Sequence, residues 1–170
     1  MTRTDTPRSP SLPPTTDVAV VVGNPRPSSR TLQAAVLVAR ELAGRDPGLV
    51  VDLADLGTRL LAPTDPEVSR LVAEVGDADL VVVASPTYKA TYTGLLKLFL
   101  DGYGPAPLAG TLAVPLMVGA APQHALAVDV HLTPLLLELG ARCPARGLYV
   151  LESELGDFST RAATIAAGIL

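Results

Sequence analysis

Two short runs with no polar position, Val18-Ala-Val-Val-Val22 and Leu80-Val-Val-Val-Ala84, constrain this chain more than any other feature. A strand with one wet face alternates apolar and polar residues. A run that never alternates belongs to a strand covered on both faces, as in a parallel sheet flanked by helices. Segments of helical period lie around these runs. Thr31 to Leu42 spaces Leu32, Ala35, Val36, Ala39 and Leu42 along a helix that ends at Gly44. Leu49 to Leu53 reads as a second strand, and Pro66 opens a helix carrying Val68, Leu71, Val72 and Val75, closed by Gly76. A helix from about Gly94 to Asp101 leads into a Gly/Pro loop over Gly102 to Gly110. Leu112 to Val118 is the fourth strand, His124 to Leu139 a long helix, Gly147 to Leu151 the fifth strand, and a last helix begins near Ser159.

Five strands alternating with five helices imply an α/β fold with a parallel sheet covered on both faces. The strand count favours the flavodoxin-like three-layer sandwich, a five-stranded parallel sheet of order 2-1-3-4-5, over the six-stranded dinucleotide order. Pro115 is the misfit, because proline removes a ladder donor from a central strand; a bulge there is the expected remedy.

The 170 residues suit one domain, expected over residues 17–170. Residues 1–16 are rich in Pro, Ser and Thr and are read as a disordered N-terminal tail. The formal charge of -4 and the lack of a basic block argue against nucleic acid as a partner. No run approaches the ~18 apolar residues of a membrane span. Cys143 is the only cysteine, which excludes an intrachain disulfide framework, a CxxC pair and a cysteine-built zinc site. A reduced cytoplasmic setting is expected, and the N-terminus lacks the apolar segment of a secretory signal.

In such sheets ligands bind beyond the carboxyl ends of the strands, where the strand order reverses. Three segments meet there. The first, Gly23-Asn-Pro-Arg-Pro-Ser-Ser-Arg-Thr31, runs straight into a helix. Hydroxyls of Ser28, Ser29 and Thr31, with the free N–H groups of the helix start, make an anion cradle, and Arg26 and Arg30 suit bidentate phosphate contact. The plain alternative is a serine-capped helix beside two solvated arginines. The loop is neither GxGxxG nor Walker A. The second segment, Ser85-Pro-Thr-Tyr-Lys-Ala-Thr-Tyr-Thr-Gly94, is otherwise a strand-to-helix turn with Thr93 as N-cap. The third, Gly119-Ala-Ala-Pro-Gln-His124, is small enough for backbone to approach a flat ligand.

Taken together, Val18 to Leu151 resembles the NADPH-dependent FMN reductase family of flavodoxin-like proteins. It is most similar to the flavin reductases that supply reduced FMN to two-component monooxygenases. The matching stretches are Gly23 to Thr31, Ala84 to Lys97, Leu108-Ala-Gly110, Pro115-Leu-Met-Val-Gly119, His124 to Asp129 and Pro134 to Gly140. The resemblance implies that Asn24, Arg26, Ser29, Arg30 and Thr31, with Ser28 in the same cradle, hold the FMN phosphate. Pro86, Thr87, Tyr88 and Lys89, following Ser85, would line the ribityl chain and flavin edge. Gly119 and Ala120 would approach the ring, and His124 would open the helix behind.

The implied activity is hydride transfer from NADPH or NADH to FMN, for which the cofactor supplies the chemistry and no protein acid or base is named. A flavin-dependent monooxygenase is the expected recipient and a homodimer or homotetramer the expected assembly. Two alternatives stand beside this: a reductase of quinones or azo compounds that keeps its FMN, and a non-enzymatic FMN-binding electron carrier or sensor. The absence of Trp and the presence of only Tyr88 and Tyr92 near the site favour an open flavin face over a carrier's aromatic sandwich. Relatives often have tyrosine at a π-bulge where this chain has Val130. Here Pro134 deprives the Val130 carbonyl of its helical donor, so a kink or bulge is expected regardless. His131 is read as a packing or interface residue, and no metal site is expected.

Overall fold

The computed structural model describes residues 12–62 and 64–169, the side chains of 159 and 160 excepted. Five strands form one parallel sheet: β1 (Val18–Val22), β2 (Leu49–Asp52), β3 (Leu80–Pro86), β4 (Leu112–Gly119) and β5 (Leu148–Leu151). Their order is β2-β1-β3-β4-β5, the flavodoxin-like arrangement. Every residue of β1 and β3 is buried, as their unbroken apolar runs require.

Helices close both faces. On one lie α1 (Arg30–Ala43) and α6 (Phe158–Ile169), packing Ala35, Val38, Leu42, Phe158 and Ala162 against Val20, Val22, Val82 and Leu116. On the other, α3 (Pro66–Gly76), α4 (Gly94–Leu100) and α5 (Thr133–Glu138) bring Leu71, Val75, Leu96, Phe99 and Leu136 onto Val21, Val81, Val83 and Met117. Each fully buried Val, Leu, Phe or Met side chain contributes roughly 1.5–3 kcal/mol relative to exposure. The helix ends follow their sequence signals. Ser29 Oγ accepts from Leu32 N–H at 3.2 Å, and Gly44, left-handed at φ 67°, donates its N–H to Arg40 O. Asp65 caps α3 through the N–H groups of Glu67 and Val68, with Pro66 in the first turn.

Pro115 needs no bulge. The β3–β4 register runs without a skip from Leu80↔Leu112 to Pro86↔Val118. Thr87 N–H bonds to Val118 O, so even-numbered residues of β4 address β3 and Pro115 addresses the β5 side. On that side the partner chain bows away: it pairs at Leu112↔Arg142 and resumes at Leu116↔Leu148, six residues against four. Pro115 therefore omits its N–H where the ladder has no acceptor to offer.

Three other expectations change. Leu53 leaves β2 and starts a short helix, α2 (Leu53–Leu56), with Asp52 as its cap; a 3-10 turn over Gly57–Leu61 follows. The sequence reading assigned no element to Ala54 to Leu61. The helix expected over His124 to Leu139 is not continuous. It is a 3-10 turn (Pro122–His124), a π turn (Val128–Leu132) and α5. Thr133 N–H reaches back to Val128 O, a five-residue step, around the Val130 carbonyl that Pro134 leaves without a donor. Lastly, residues 1–11 of the expected tail lie outside the described residues, while Leu12 packs on the α1–α6 core and donates its N–H to Leu42 O at 3.1 Å.

Candidate functional site

At the carboxyl edge of the sheet, β1 passes into α1 through a loop fixed by its own side chains. Asn24 is buried; its Oδ1 accepts Arg26 N–H at 3.0 Å and its Nδ2 donates to Thr31 Oγ1 at 3.1 Å, tying the loop to the first turn of α1. Ser28 sits in the left-handed region at φ 52°, and its N–H bonds to Asp52 Oδ2 at 2.9 Å. Asp52 thus joins the end of β2 to this loop. Pro25 and Pro27 carry no N–H, so the loop's remaining donors are those of the helix start. The N–H groups of Arg30 and Thr31 have no intrahelical acceptor, which makes this end of α1 attractive to an anion. Arg26 is exposed and makes no ion pair among the described residues, whereas Arg30 Nη2 lies 3.0 Å from Glu152 Oε2.

The segment after β3 folds into a tight hairpin. Tyr88 and Thr91 exchange both backbone hydrogen bonds, at 2.9 and 3.2 Å, with Lys89 (φ 51°) and Ala90 (φ 66°) between them. That is the geometry of a primed turn, built without glycine. Ser85 Oγ donates to Pro86 O and accepts Thr93 N–H, and Thr93 Oγ1 donates to Gly23 O while accepting Leu96 N–H. The hydroxyls of Ser85 and Thr93 therefore lock the hairpin to α4 and to the end of β1. A Cβ on Gly23 would strike the Leu96 Cβ, so the close seating of α4 depends on glycine there.

At the third loop, Gly119 lies under the Tyr149 ring, where an added Cβ would collide with the hydroxyl. Tyr149 Oη donates to Ala121 O at 2.8 Å and pins the loop. Thr87 Oγ1, beside Gly119, is buried with no hydrogen-bond partner among the described residues. A buried hydroxyl left unpaired costs about 1–3 kcal/mol, a deficit that a polar ligand atom would remove.

The first two segments border a cleft of about 270 Å³ lined by Asn24, Arg26, Ser29, Arg30, Thr31, Pro86 and Tyr88 from the expected set, whereas Thr87, Gly119 and Ala120 lie outside its lining. Pro27, Val118, Glu152 and Leu155 complete it. Ser85 does not line it: it is wholly buried and its hydroxyl is committed to the hairpin. Ser28 faces Asp52 through its backbone, Lys89 is exposed at the hairpin tip, and His124 ends the 3-10 turn away from the cleft wall. Tyr92, expected near the site, packs on the α4 side of the core. Glu152 was missed because attention to the β1–β3 crevice ignores the residue after β5. Its signal was its place, the first position past the fifth apolar run.

Comparisons with known proteins identify the family. The family model described as NADPH-dependent FMN reductase matches residues 16–155. The chain belongs to that family. The FMN reductase (NADPH) of Escherichia coli (strain K12) is 31% identical over 152 residues, covering 85% of this chain and 78% of the relative. The NADH-dependent FMN reductase SfnE of Pseudomonas putida is 33% identical over 160 residues, covering 89% and 85%. Among solved structures, the apo form of an NADH:FMN oxidoreductase superposes with a TM-score of 0.78 at 28% identity, over 92% of this chain and 90% of that one.

Proposed function

We propose that this chain is an NAD(P)H-dependent FMN reductase that binds flavin in the cleft between the β1–α1 loop and the β3–α4 hairpin. The observation that carries the reading is the anion-ready start of α1, with Arg26 unpaired beside the open N–H groups of Arg30 and Thr31. When bound there, FMN supplies the isoalloxazine ring that accepts a hydride from NADPH or NADH. The chain's own part is positional. Arg26, Ser29 and the helix N-terminus would take the phosphate; Asn24 keeps the loop in the shape that aims them. Thr87 Oγ1 has a free bond to offer the ribityl chain or ring edge, and half-exposed Tyr88 flanks them. Gly119 and Ala120, beyond the cleft lining, would offer backbone to the ring.

The cleft lies just below the ~300–1,000 Å³ typical of small-molecule pockets. A cleft of that size would take part of FMN and leave the rest accessible to a nicotinamide. This supports loosely held, exchangeable flavin, and with it delivery of reduced FMN to a flavin-dependent monooxygenase in the cytoplasm. A homodimer or homotetramer is supported by Leu126, Val130 and Leu137, large apolar side chains exposed around the π turn and α5. Among the described residues no helix is long and apolar enough to cross a membrane.

The test is oxidation of NADPH and of NADH by the purified protein with and without added FMN. Turnover that rises and saturates with FMN is expected. Folded protein that oxidises neither nicotinamide in the presence of FMN would refute the reductase reading.

A further inference from the structure

We infer that Glu152 sets how tightly the flavin phosphate is held, by competing with it for Arg30. This rests on the proposal that the phosphate sits at the start of α1. The two arginines of the cleft are not equivalent. Arg26 makes no ion pair among the described residues, while Arg30 is held by Glu152 at 3.0 Å, with both side chains about half exposed. Glu152 also lines the cleft itself, so its carboxylate shares the space with any anion that Arg30 would meet.

Such an exposed pair is weak and exchangeable. An arriving phosphate either draws Arg30 away from Glu152 or forgoes one of its two guanidinium partners. In both cases it meets a fixed negative charge across the cleft. Glu152 is carried on the 3-10 turn Glu152–Asp157, whose Glu154 side chain accepts Leu151 N–H. The turn therefore keeps its place whether or not Arg30 stays paired. Glu152 lowers affinity for the phosphorylated flavin and favours its release, the property required if FMN is exchanged on each cycle. Riboflavin, which has the same ring and ribityl chain without the phosphate, is indifferent to the competition.

The measurement is the dissociation constant of FMN and of riboflavin, from quenching of flavin fluorescence, for the wild-type chain and for Glu152→Gln. Gln preserves the size of the side chain and removes the charge. The variant is expected to bind FMN about three- to tenfold more tightly, with slower release, and riboflavin unchanged within about twofold. The FMN gain should shrink as salt is raised. Unchanged or weaker FMN binding in the variant would overturn the inference, the weaker result showing that Glu152 instead orients Arg30 for the phosphate. An equal gain for both flavins would overturn it too. If the wild-type chain does not favour FMN over riboflavin at all, it is the placement of the phosphate at α1 that fails.

Discussion

Arg26 and Tyr103 show how one side chain's surroundings decide what its loss does. Arg26 is tethered through its backbone to Asn24 but its guanidinium is uncommitted, so replacing it should leave the fold intact. Arg26→Gln is expected to weaken FMN binding at least tenfold and riboflavin binding hardly at all, with the melting temperature of the free protein unchanged. Tyr103 is the reverse case. Its ring packs edge-on against Phe99 with centroids 5.9 Å apart, and its hydroxyl is buried without a partner among the described residues. Burial pushes its pKa well above the usual tyrosine value. The native state therefore keeps the proton when the unfolded chain loses it, near pH 10. Stability from this group is present below about pH 10 and is lost as pH rises toward the folded-state value. Tyr103→Phe should be neutral or stabilising by up to about 1 kcal/mol at pH 7 and should flatten the alkaline fall; urea unfolding at neutral and alkaline pH checks both. Much of the candidate cleft was legible residue by residue, since seven of the expected residues line it. Ser85 was not: a serine in a candidate loop looks the same in sequence whether its hydroxyl faces a ligand or staples its own backbone. Only the neighbours of Thr93 N–H and Pro86 O decide it.

Among the elements, the buried strands declared themselves because periodicity is a local signal. Those facts that depend on a neighbouring strand did not. Pro115 looked anomalous because one strand cannot show where its partner leaves the sheet, and the bow of residues 143–147 is a property of the chain opposite. Placing an N–H at position 115 should create a buried donor with no acceptor. Pro115→Ala is therefore expected to destabilise by about 1–2 kcal/mol in urea unfolding with an unchanged m-value. The π turn was half legible. Pro134 foretold a break at the Val130 carbonyl, but the five-residue reach of Thr133 to Val128 goes with how the turn seats against the chain just before β5. That seating involves Asp129, whose carboxylate accepts Gly147 N–H at 2.8 Å and pairs with Arg146. The short helix after β2 went unread because its cap, Asp52, also reads as the polar end of a strand.

For the whole molecule, the sheet separates two tasks. Its two covered faces carry the cores, and its carboxyl edge carries every segment that lines the cleft. Part of the exposed apolar surface lies around the π turn. Val130, 59% exposed, is a large valine surface for a solvated position, and Leu126 and Leu137 are similarly uncovered. If this is a subunit contact, Val130→Asp should reduce the assembly to a smaller species in sedimentation velocity while leaving the monomer's fold, read by circular dichroism, in place. A wild-type chain that sediments as a monomer would remove that role from the surface.

The hairpin between Tyr88 and Thr91 has a use for anyone wishing to engineer the chain. Lys89 and Ala90 both occupy left-handed backbone, a conformation costing about 1–2 kcal/mol for a residue with a Cβ. An Asn-Gly pair takes up that turn without the penalty. A natural sequence that leaves this untaken holds thermal robustness in reserve at one two-residue site, reachable without touching either core.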